Sequence, residues 1–284
     1  MLVDFFVPAI VVLLMTLVGI GLVPAQFIAV LRAPVALLGG TLLQYLLLPL
    51  GAAAMILLLQ PPFELAGGLL LVAASPGGAL SNYYCHLGRL NVAFSVMLTA
   101  LSGIVAFAMM PLLLTTVAPA VLGVQAFAIP FGDLALRLFL FLMLPVGVGM
   151  LLRHFLPGLM TRHVGVFQVT GLVLLVVLLA FIVFDQREAI PEIVLDTAVL
   201  TASFTGLAVL AGWSSGLMLR VDPVDRAVLA VEFAVRNVGI AAVLALATFR
   251  RPEFAAFGAL FVLFQFPLVA LMLLCHQAAR RRPR

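Results

Sequence analysis

Nine long apolar runs dominate the sequence and restrict the chain to a membrane fold. A helix needs about 20 consecutive apolar residues to cross the hydrocarbon core of a bilayer. Of the 284 residues, 65% are hydrophobic and 9% are charged, whereas soluble domains have roughly 45–50% apolar and about 25% charged residues. The sequence therefore predicts an all-α polytopic protein in the lipid bilayer, with nine transmembrane helices at 5–23, 35–59, 65–87, 92–117, 133–152, 164–184, 196–218, 225–248 and 254–275.

The distribution of the 15 basic residues, which are all arginines, predicts how these spans are oriented. Cytoplasmic loops of membrane proteins carry an excess of arginine and lysine. With the N-terminus outside, ten loop and tail arginines fall on the cytoplasmic side and three fall outside. We therefore expect a multi-pass cell-membrane protein with a cytoplasmic arginine-rich tail at 276–284, and no nucleic-acid partner. The cytoplasmic set is Arg32, Arg89, Arg153, Arg162, Arg220, Arg226, Arg280, Arg281, Arg282 and Arg284, and the outer set is Arg187, Arg250 and Arg251.

The third predicted span is interrupted at residues 75–82, which read Ser-Pro-Gly-Gly-Ala-Leu-Ser-Asn. Pro76 has no amide hydrogen to donate and its ring clashes with a preceding helical turn. The two glycines that follow tolerate non-helical backbone. We expect a helix that is broken near the bilayer midplane, with a simple proline kink as the alternative.

The eighth predicted span carries charged and amide side chains, Glu232, Arg236 and Asn237. A charged side chain at the bilayer centre costs about 3 kcal/mol on insertion scales, so these residues need a function or a partner. In one interpretation, Glu232 and Arg236 form an ion pair four residues apart on one helical face. In the other, the backbone unwinds near Asn237, Val238 and Gly239 and forms an ion and substrate site.

The two interrupted spans run in opposite directions across the membrane. Antiparallel broken helices that cross near the midplane are typical of transporters built from inverted repeats. The third span is third in the first half and the eighth is fourth in the second half, so the first half lacks an opening helix. The sequence predicts one transmembrane transporter domain, 1–284, with repeats at 1–117 and 133–275.

Oxygen-bearing side chains cluster around the two interruptions. Sodium prefers oxygen ligands, which a carboxylate, hydroxyls and an amide can provide at membrane depth. Hydroxyls in membrane helices often bond to their own backbone, so they are informative only together with the two breaks. The candidate sodium ligands are Ser81, Asn82, Ser95, Thr99 and Glu232.

These stretches resemble the bile acid:sodium symporter family. Residues 75–82 are similar to its Cys-Pro-Gly-Gly-x-x-Ser-Asn signature, and the stretch from Glu232 to Gly239 is similar to its Glu-x-x-x-Gln-Asn-x-Gly signature. Gln44 also matches a family glutamine, and residues 258–261 match the opening of its last helix. The resemblance covers essentially the whole chain. It implies a panel and a core domain, and sodium-driven transport of an organic anion by alternating access.

The resemblance also implies roles for individual residues. It assigns the five oxygen-bearing residues above to a first sodium site. It also implies that a second sodium site would keep Gln44, Phe233 and Val235. However, Arg236 stands where the family has a glutamine that helps to bind this second ion. A guanidinium cannot ligate a cation, so we expect Arg236 to replace that ion. The expected substrate contacts are Asn237, Arg236, Gln265, Ser75 and Ala79, of which the last three depart from the family's residues.

Other functions are compatible with parts of this pattern. A membrane sensor or scaffold could keep the fold without transport, and an anion transporter could work without sodium. An intramembrane enzyme needs a nucleophile with a base or a pair of metal ligands, and no such spacing lies in mid-span. We therefore expect a transporter rather than an enzyme, with sodium as its coupling ion. Its substrate would be a bile-acid-like or smaller carboxylate or sulfonate.

Overall fold

The computed structural model describes residues 2–22, 34–123 and 129–281. Within these ranges the regular structure is helical, apart from an isolated antiparallel β-bridge between Gly77 and Arg236. The helices are α1 (Leu2–Gly21), α2 (Pro34–Leu59), α3 (Phe63–Ala74), α4 (Leu80–Leu87), α5 (Val92–Leu122), α6 (Phe131–Phe155), α7 (Pro157–Arg162), α8 (Val164–Asp185), α9 (Ile190–Met218), α10 (Pro223–Ala234), α11 (Val238–Thr248) and α12 (Pro252–Arg281). Two of them contain a π-helical turn, α6 at Phe139–Met143 and α11 at Leu244–Thr248. The predicted all-α class is confirmed for the described residues.

Among the described residues, six helices are long and apolar enough to cross a bilayer. They are α2, α5, α6, α8, α9 and α12, and each falls on one of the predicted spans. The chain is therefore a multi-pass membrane protein. The first predicted span corresponds to α1. The third and eighth predicted spans are each divided between two shorter helices, α3 with α4 and α10 with α11.

Several helices extend beyond the apolar runs that predicted them. The loop between the predicted spans 164–184 and 196–218 is shorter than predicted, because α9 begins at Ile190, with Pro191 in its first turn. Glu192 therefore lies on the helix. Proline is favoured in a first turn because the amide that it lacks has no helical partner there. α12 likewise continues into the predicted tail, since a helix can project past the hydrocarbon core. The predicted loop arginine Arg32 and the tail arginines Arg282 and Arg284 lie outside the described residues.

α1, α6 and α8 form one group of helices, in which α1 packs against the second half of α6 and against α8. Two glycines allow α1 and α6 to approach at backbone distance. A Cβ atom at Gly19 would lie 2.2 Å from the Val146 carbonyl oxygen, and one at Gly149 would lie 2.1 Å from the Thr16 carbonyl oxygen. Small residues are how membrane helices achieve such close packing. This contact fixes α1 against α6.

The remaining long helices surround the two short helices that precede the chain breaks. Every residue is buried from Leu65 to Ala74 in α3 and from Ala227 to Ala234 in α10. α9 packs tightly on α10, because a Cβ atom at Gly212 would lie 2.5 Å from the Leu229 carbonyl oxygen. The segments at which the chain breaks are therefore held in the interior.

The glycine contact between α1 and α6 predicts a position-specific loss of stability. Gly149→Ala should destabilise the protein by about 1–3 kcal/mol, because overpacking forces the two backbones apart. Gly147→Ala is a matched control on the same helix, since a Cβ atom there meets no heavy atom within 4 Å. Thermal unfolding in detergent would show the difference. Equal unfolding temperatures for the two variants would contradict the close packing.

Candidate functional site

The first chain break separates α3 from α4. α3 ends at Ala74, and Ser75 adopts an extended conformation with φ −68° and ψ 156°. A residue that precedes a proline is disfavoured from the helical region, so Pro76 explains why the helix stops here. Helical structure resumes only at Leu80. The chain is therefore broken at Pro76, rather than kinked.

The second chain break separates α10 from α11. Val235 is extended, with φ −100° and ψ 103°, and Asn237 precedes the first turn of α11. The side-chain oxygen of Asn237 accepts a hydrogen bond from the Ile240 amide at 3.3 Å and so caps the new helix. An asparagine favours such a cap because its oxygen satisfies a first-turn amide. The break thus lies at 235–237, close to the predicted unwinding.

The two breaks pair with each other as short antiparallel strands. The Gly78 amide donates to the Val235 carbonyl at 2.9 Å, and the Asn237 amide donates to the Pro76 carbonyl at 2.9 Å. Backbone groups released from a helix inside a membrane must find partners within the protein. A Cβ atom at Gly78 would lie 2.6 Å from the Arg236 carbonyl oxygen, so the pairing requires glycine. We refer to residues 75–79 and 235–237 as the crossing.

Beside the crossing, four side chains gather around the Glu232 carboxylate, and Glu232 is 1% exposed. Its Oε1 atom accepts hydrogen bonds from Ser81 at 2.5 Å, Ser95 at 2.7 Å and Thr99 at 2.8 Å. The Ser95 hydroxyl also lies 2.8 Å from Asn82 Oδ1. The structure thus brings together all five residues that the sequence analysis proposed as sodium ligands, from α4, α5 and α10.

The composition of this oxygen cluster suits an alkali cation. The Ser95 hydroxyl has one hydrogen but two acceptors, Glu232 Oε1 and Asn82 Oδ1. The second carboxylate oxygen, Glu232 Oε2, is buried and has no hydrogen-bond partner among the described residues. A buried charged group without full compensation is costly. Oxygen-only ligands with one negative charge fit a hard cation such as sodium, and no cluster of His, Cys, Asp and Glu that could hold another metal occurs in the described residues.

Arg236 occupies a separate buried position and is 3% exposed. Its Nη1 atom donates to Gln44 Oε1 at 2.8 Å, and its Nη2 atom donates to the Ser75 carbonyl. It is not within ion-pair distance of the Glu232 carboxylate, and reaches only the Glu232 carbonyl at 3.5 Å. The helical ion pair that one of the two interpretations proposed is absent between these two residues. The reason is that the helix ends before Val235, so the i,i+4 geometry does not apply.

The residues expected to remain from a second sodium site lie on α2 and at the end of α10. The side-chain oxygen of Gln44 accepts from Arg236. The Val235 carbonyl accepts from the Gly78 amide in the crossing. Phe233 is buried in the last turns of α10. Two of the oxygens that a second cation would need therefore already have donors.

A cavity of about 470 Å³ opens beside the crossing, between the α1 and α8 side and the first turns of α4 and α11. Asn82 and Thr99 from the oxygen cluster line it, together with the predicted substrate contacts Ala79 and Asn237. Arg236 also borders the cavity, but its guanidinium is directed to Gln44 and Ser75, which are not among the lining residues.

Two other predicted substrate contacts lie elsewhere. Ser75 is fully buried, and its hydroxyl donates to the Val72 carbonyl at 2.7 Å. Gln265 is 1% exposed on α12 and does not line the cavity. Both residues are therefore buried away from the cavity, Ser75 in the crossing and Gln265 on α12, so they do not contact a solute in the cavity in this conformation of the protein.

Two residues beside the crossing, Ser102 and Tyr45, are missing from the sequence predictions. The Ser102 hydroxyl accepts from the Gly77 amide at 3.1 Å, and the Tyr45 hydroxyl donates to the Ser102 carbonyl at 2.7 Å. Ser102 follows Ser95 and Thr99 at helical spacing, which places all three on one face of α5. This helical spacing is the sequence feature from which Ser102 could have been predicted.

Arg137 is a third residue that the sequence predictions omitted, because it lies just inside the predicted fifth span. Its Nη1 atom donates to the Ala247 carbonyl at 3.0 Å. Ala247 lies in the last turn of α11, where a positive charge is favourable because helix carbonyls lack partners there. Arg137 thus connects α6 to the end of α11.

Comparison with known proteins identifies the family. A sequence model of the Sodium Bile acid symporter family matches residues 8–193. The match covers more than half of the 284 residues. The chain belongs to this family. The matched range includes Ser81, Asn82, Ser95 and Thr99 and ends before Glu232. The Sodium Bile acid symporter family consists of transporters, which agrees with the expectation of a transporter rather than an enzyme.

Individual relatives of this chain carry the names of transporters. YocS of Bacillus subtilis, named as an uncharacterized sodium-dependent transporter, is 27% identical over 231 residues, which are 81% of this chain and 70% of YocS. The probable chloroplastic sodium/metabolite cotransporter BASS1 of Arabidopsis thaliana is 30% identical over 226 residues, 78% of this chain and 54% of that protein. The corresponding BASS2 of Oryza sativa is 34% identical over 167 residues, 59% of this chain and 39% of that protein. The chain thus matches about half or less of the length of these plant relatives.

The pairing at the crossing predicts that Gly78 does not tolerate a side chain. Gly78→Ala should push the Arg236 carbonyl away and break the bridge, at a cost of about 1–3 kcal/mol. Hydrogen–deuterium exchange should then increase at both 75–79 and 235–239. Gly103→Ala on α5 is the control, since a Cβ atom there meets nothing within 4 Å. Unchanged exchange at both segments in Gly78→Ala would show that the bridge does not hold them.

Proposed function

We propose that this chain is a sodium-coupled secondary transporter that carries an organic anion by alternating access. The observation that carries this proposal is that Asn82 and Thr99 belong both to the Glu232 oxygen cluster and to the cavity wall. An ion bound at the cluster and a solute bound in the cavity would therefore share residues. Sharing of this kind allows the two binding events to influence each other. The names of the relatives, which include sodium-dependent and sodium/metabolite transporters, support this proposal.

Sodium is the proposed co-transported ion, with Glu232 as its only charged ligand. Ser81, Ser95, Thr99 and Asn82 supply the remaining oxygens. In the structure the hydroxyls of Ser81, Ser95 and Thr99 donate hydrogen bonds to Glu232 Oε1. When sodium binds, these hydroxyls rotate to present lone pairs to the ion while their hydrogens turn toward other acceptors. The site is then balanced in charge at membrane depth.

The cavity supports an anionic solute with an apolar body. The first turns of α4 and α11 face it through Ala79, Leu80, Val238 and Gly239. The helix dipole places partial positive charge at the first turn of a helix. Two such helix ends directed at one cavity favour a carboxylate or sulfonate. The other walls are largely apolar, with Leu14, Val18, Leu172, Leu175 and Val262 among them.

The proposed transport cycle uses an inverted repeat. We propose nine membrane spans, as the sequence predicts: the described helices other than α7, with each broken helix pair counted as one span. We assign α1, α6 and α8 to the panel domain and the other spans to the core domain, so that the cavity lies between the two domains.

Arg137 adds a fourth arginine to the outer set, which leaves the proposed N-out orientation with ten arginines inside. Leu22, His86 and Val92 are among the residues that line the cavity, and they lie toward the proposed cytoplasmic side.

Arg236 is proposed to act as a fixed cation in place of a second sodium ion. Its guanidinium donates to Gln44 Oε1 and to the Ser75 carbonyl, and arginine remains protonated in proteins. Arg236 is buried and lies four residues after Glu232 in the sequence, so its positive charge balances the negative charge of that carboxylate in the protein interior. On this account a single sodium ion is coupled to each anion, and Arg236 favours the anion through its charge without direct contact.

The sodium site predicts that Glu232→Ala and Asn82→Ala remove sodium-dependent stabilisation of the purified protein. Sodium at 100 times its dissociation constant should stabilise the wild type by about 2.7 kcal/mol relative to choline. Neither variant should respond, because each lacks a ligand oxygen. Thr115→Ala on α5 is the control, since the Thr115 hydroxyl bonds to its own helix at Pro111. Wild-type sodium responses in both ligand variants would refute the site.

The fixed-cation role of Arg236 predicts a change in sodium cooperativity. Arg236→Gln should raise the Hill coefficient for sodium from about one toward two, since removing the guanidinium leaves oxygens that a second ion can use. Sodium-dependent thermal stabilisation measures it without a known substrate. Arg137→Gln is the control, because Arg137 also donates to a backbone carbonyl, in a partly buried contact, but lies outside the crossing. A folded Arg236→Gln protein with an unchanged sodium dependence would refute this role.

A further inference from the structure

Ser102 makes a contact between two elements that Ser215, another fully buried serine, does not make among the described residues. Its hydroxyl donates to the Thr99 carbonyl at 2.9 Å within α5, and it also accepts from the Gly77 amide at 3.1 Å. The hydroxyl of Ser215 donates to its own helix at Ala211, and no second contact to it is present in the described residues. Ser102 therefore joins two separate elements, whereas Ser215 only bonds locally.

Gly77 has few other ways to satisfy its amide. It lies in the crossing, where the helix has ended, so it has no helical acceptor. Ser102 is fully buried, so water does not replace it as an acceptor at the surface. Without the Ser102 hydroxyl, the Gly77 amide would be unsatisfied inside the membrane-embedded part of the protein, and the segment would have to move to find another partner.

Gly77 also forms part of the wall around the Glu232 carboxylate. A Cβ atom at Gly77 would lie 2.5 Å from Glu232 Oε2 and 3.3 Å from the Ser102 hydroxyl oxygen. Gly77 therefore lies next to the carboxylate oxygen that has no hydrogen-bond partner among the described residues, and the Ser102 hydroxyl contacts the same glycine. A shift of Gly77 relative to α5 would change the space that this oxygen occupies.

The same contact sets the spacing between the two helices that carry the neutral ligands. Ser81 and Asn82 follow the crossing on α4, and Ser95 and Thr99 precede Ser102 on α5. Besides the ligand hydrogen bonds themselves, the bond from Gly77 to Ser102 joins the start of the α4 segment directly to α5. It therefore fixes the distance across which these oxygens face one another.

Tyr45 holds Ser102 from a third element. Its side chain is 3% exposed, and its hydroxyl donates to the Ser102 carbonyl at 2.7 Å from α2. Tyr45 directly follows Gln44, whose side chain binds the Arg236 guanidinium. α2 thus supports both strands of the crossing, one through Tyr45 and Ser102 and the other through Gln44 and Arg236.

We propose that Ser102, supported by Tyr45, is a positioning residue for the cation site at Glu232. It binds no ion itself, and it holds Gly77 at the place that gives the ligand oxygens their spacing. This inference rests on the proposed function, because it concerns the affinity of the proposed sodium site. Removing residues that orient metal ligands typically lowers metal affinity about 10- to 100-fold.

The test is the half-saturating sodium concentration of Ser102→Ala, measured by competition against radioactive sodium on the purified full-length protein. We expect this concentration to rise about 10- to 100-fold. Ser102→Thr keeps a hydroxyl and should return it to near the wild-type value. Ser215→Ala removes an equally buried serine hydroxyl and should leave it unchanged. Because affinity is measured on folded protein, a general loss of stability does not imitate the effect.

Two further results separate the possible failures. If Ser102→Ala does not fold, Tyr45→Phe removes the supporting hydroxyl alone, and it should raise the half-saturating concentration by a smaller factor. A wild-type value in folded Ser102→Ala, or in Tyr45→Phe where Ser102→Ala cannot be purified, overturns the positioning role and leaves the sodium site intact. Absence of saturable sodium binding in the wild type rejects the sodium site, and the positioning role with it.

Discussion

Two backbone hydrogen bonds join the broken helices beside the candidate cation site. They join Gly78 to Val235 and Asn237 to Pro76. Each break releases amides and carbonyls that a membrane cannot hydrate, and each satisfies groups of the other. Once the two segments are paired, the last turn of α10 is held beside the start of α4, and the Glu232 carboxylate reaches the hydroxyls of α4 and α5. The proposed ion site therefore depends on the pairing of the breaks as much as on its ligands.

The two buried charges at this centre are kept apart by different partners. Glu232 is surrounded by hydroxyls, whereas Arg236 is held by an amide oxygen and a carbonyl. An ion pair between them would neutralise the carboxylate and leave little reason for a mobile cation to bind. Their separation leaves Glu232 available to an ion and gives the interior a compensating positive charge. Binding of one sodium ion would then leave the crossing with a net positive charge beside an anion cavity.

The sequence predicted the helical spans, the break at Pro76 and the group of residues around Glu232. Proline followed by two glycines is a local signal for a break, and acids in apolar runs are rare enough to stand out. The direction of the Arg236 side chain was not predictable, because its helical register is lost at Val235 and its partner Gln44 is distant in sequence. Ser102 was missed for a related reason. A lone serine in an apolar helix usually bonds to its own backbone, and only the packed fold shows that it also accepts from Gly77.

Direct measurement of sodium binding to the purified wild-type protein tests the central claim, that one sodium ion binds at the Glu232 cluster. Equilibrium binding of radioactive sodium should saturate at one ion per protein, with displacement by unlabelled sodium and no displacement by potassium at equal concentration. Such a result would agree with an oxygen site of one negative charge next to a fixed guanidinium. Absence of saturable binding, or saturation at two ions per protein, would contradict the account.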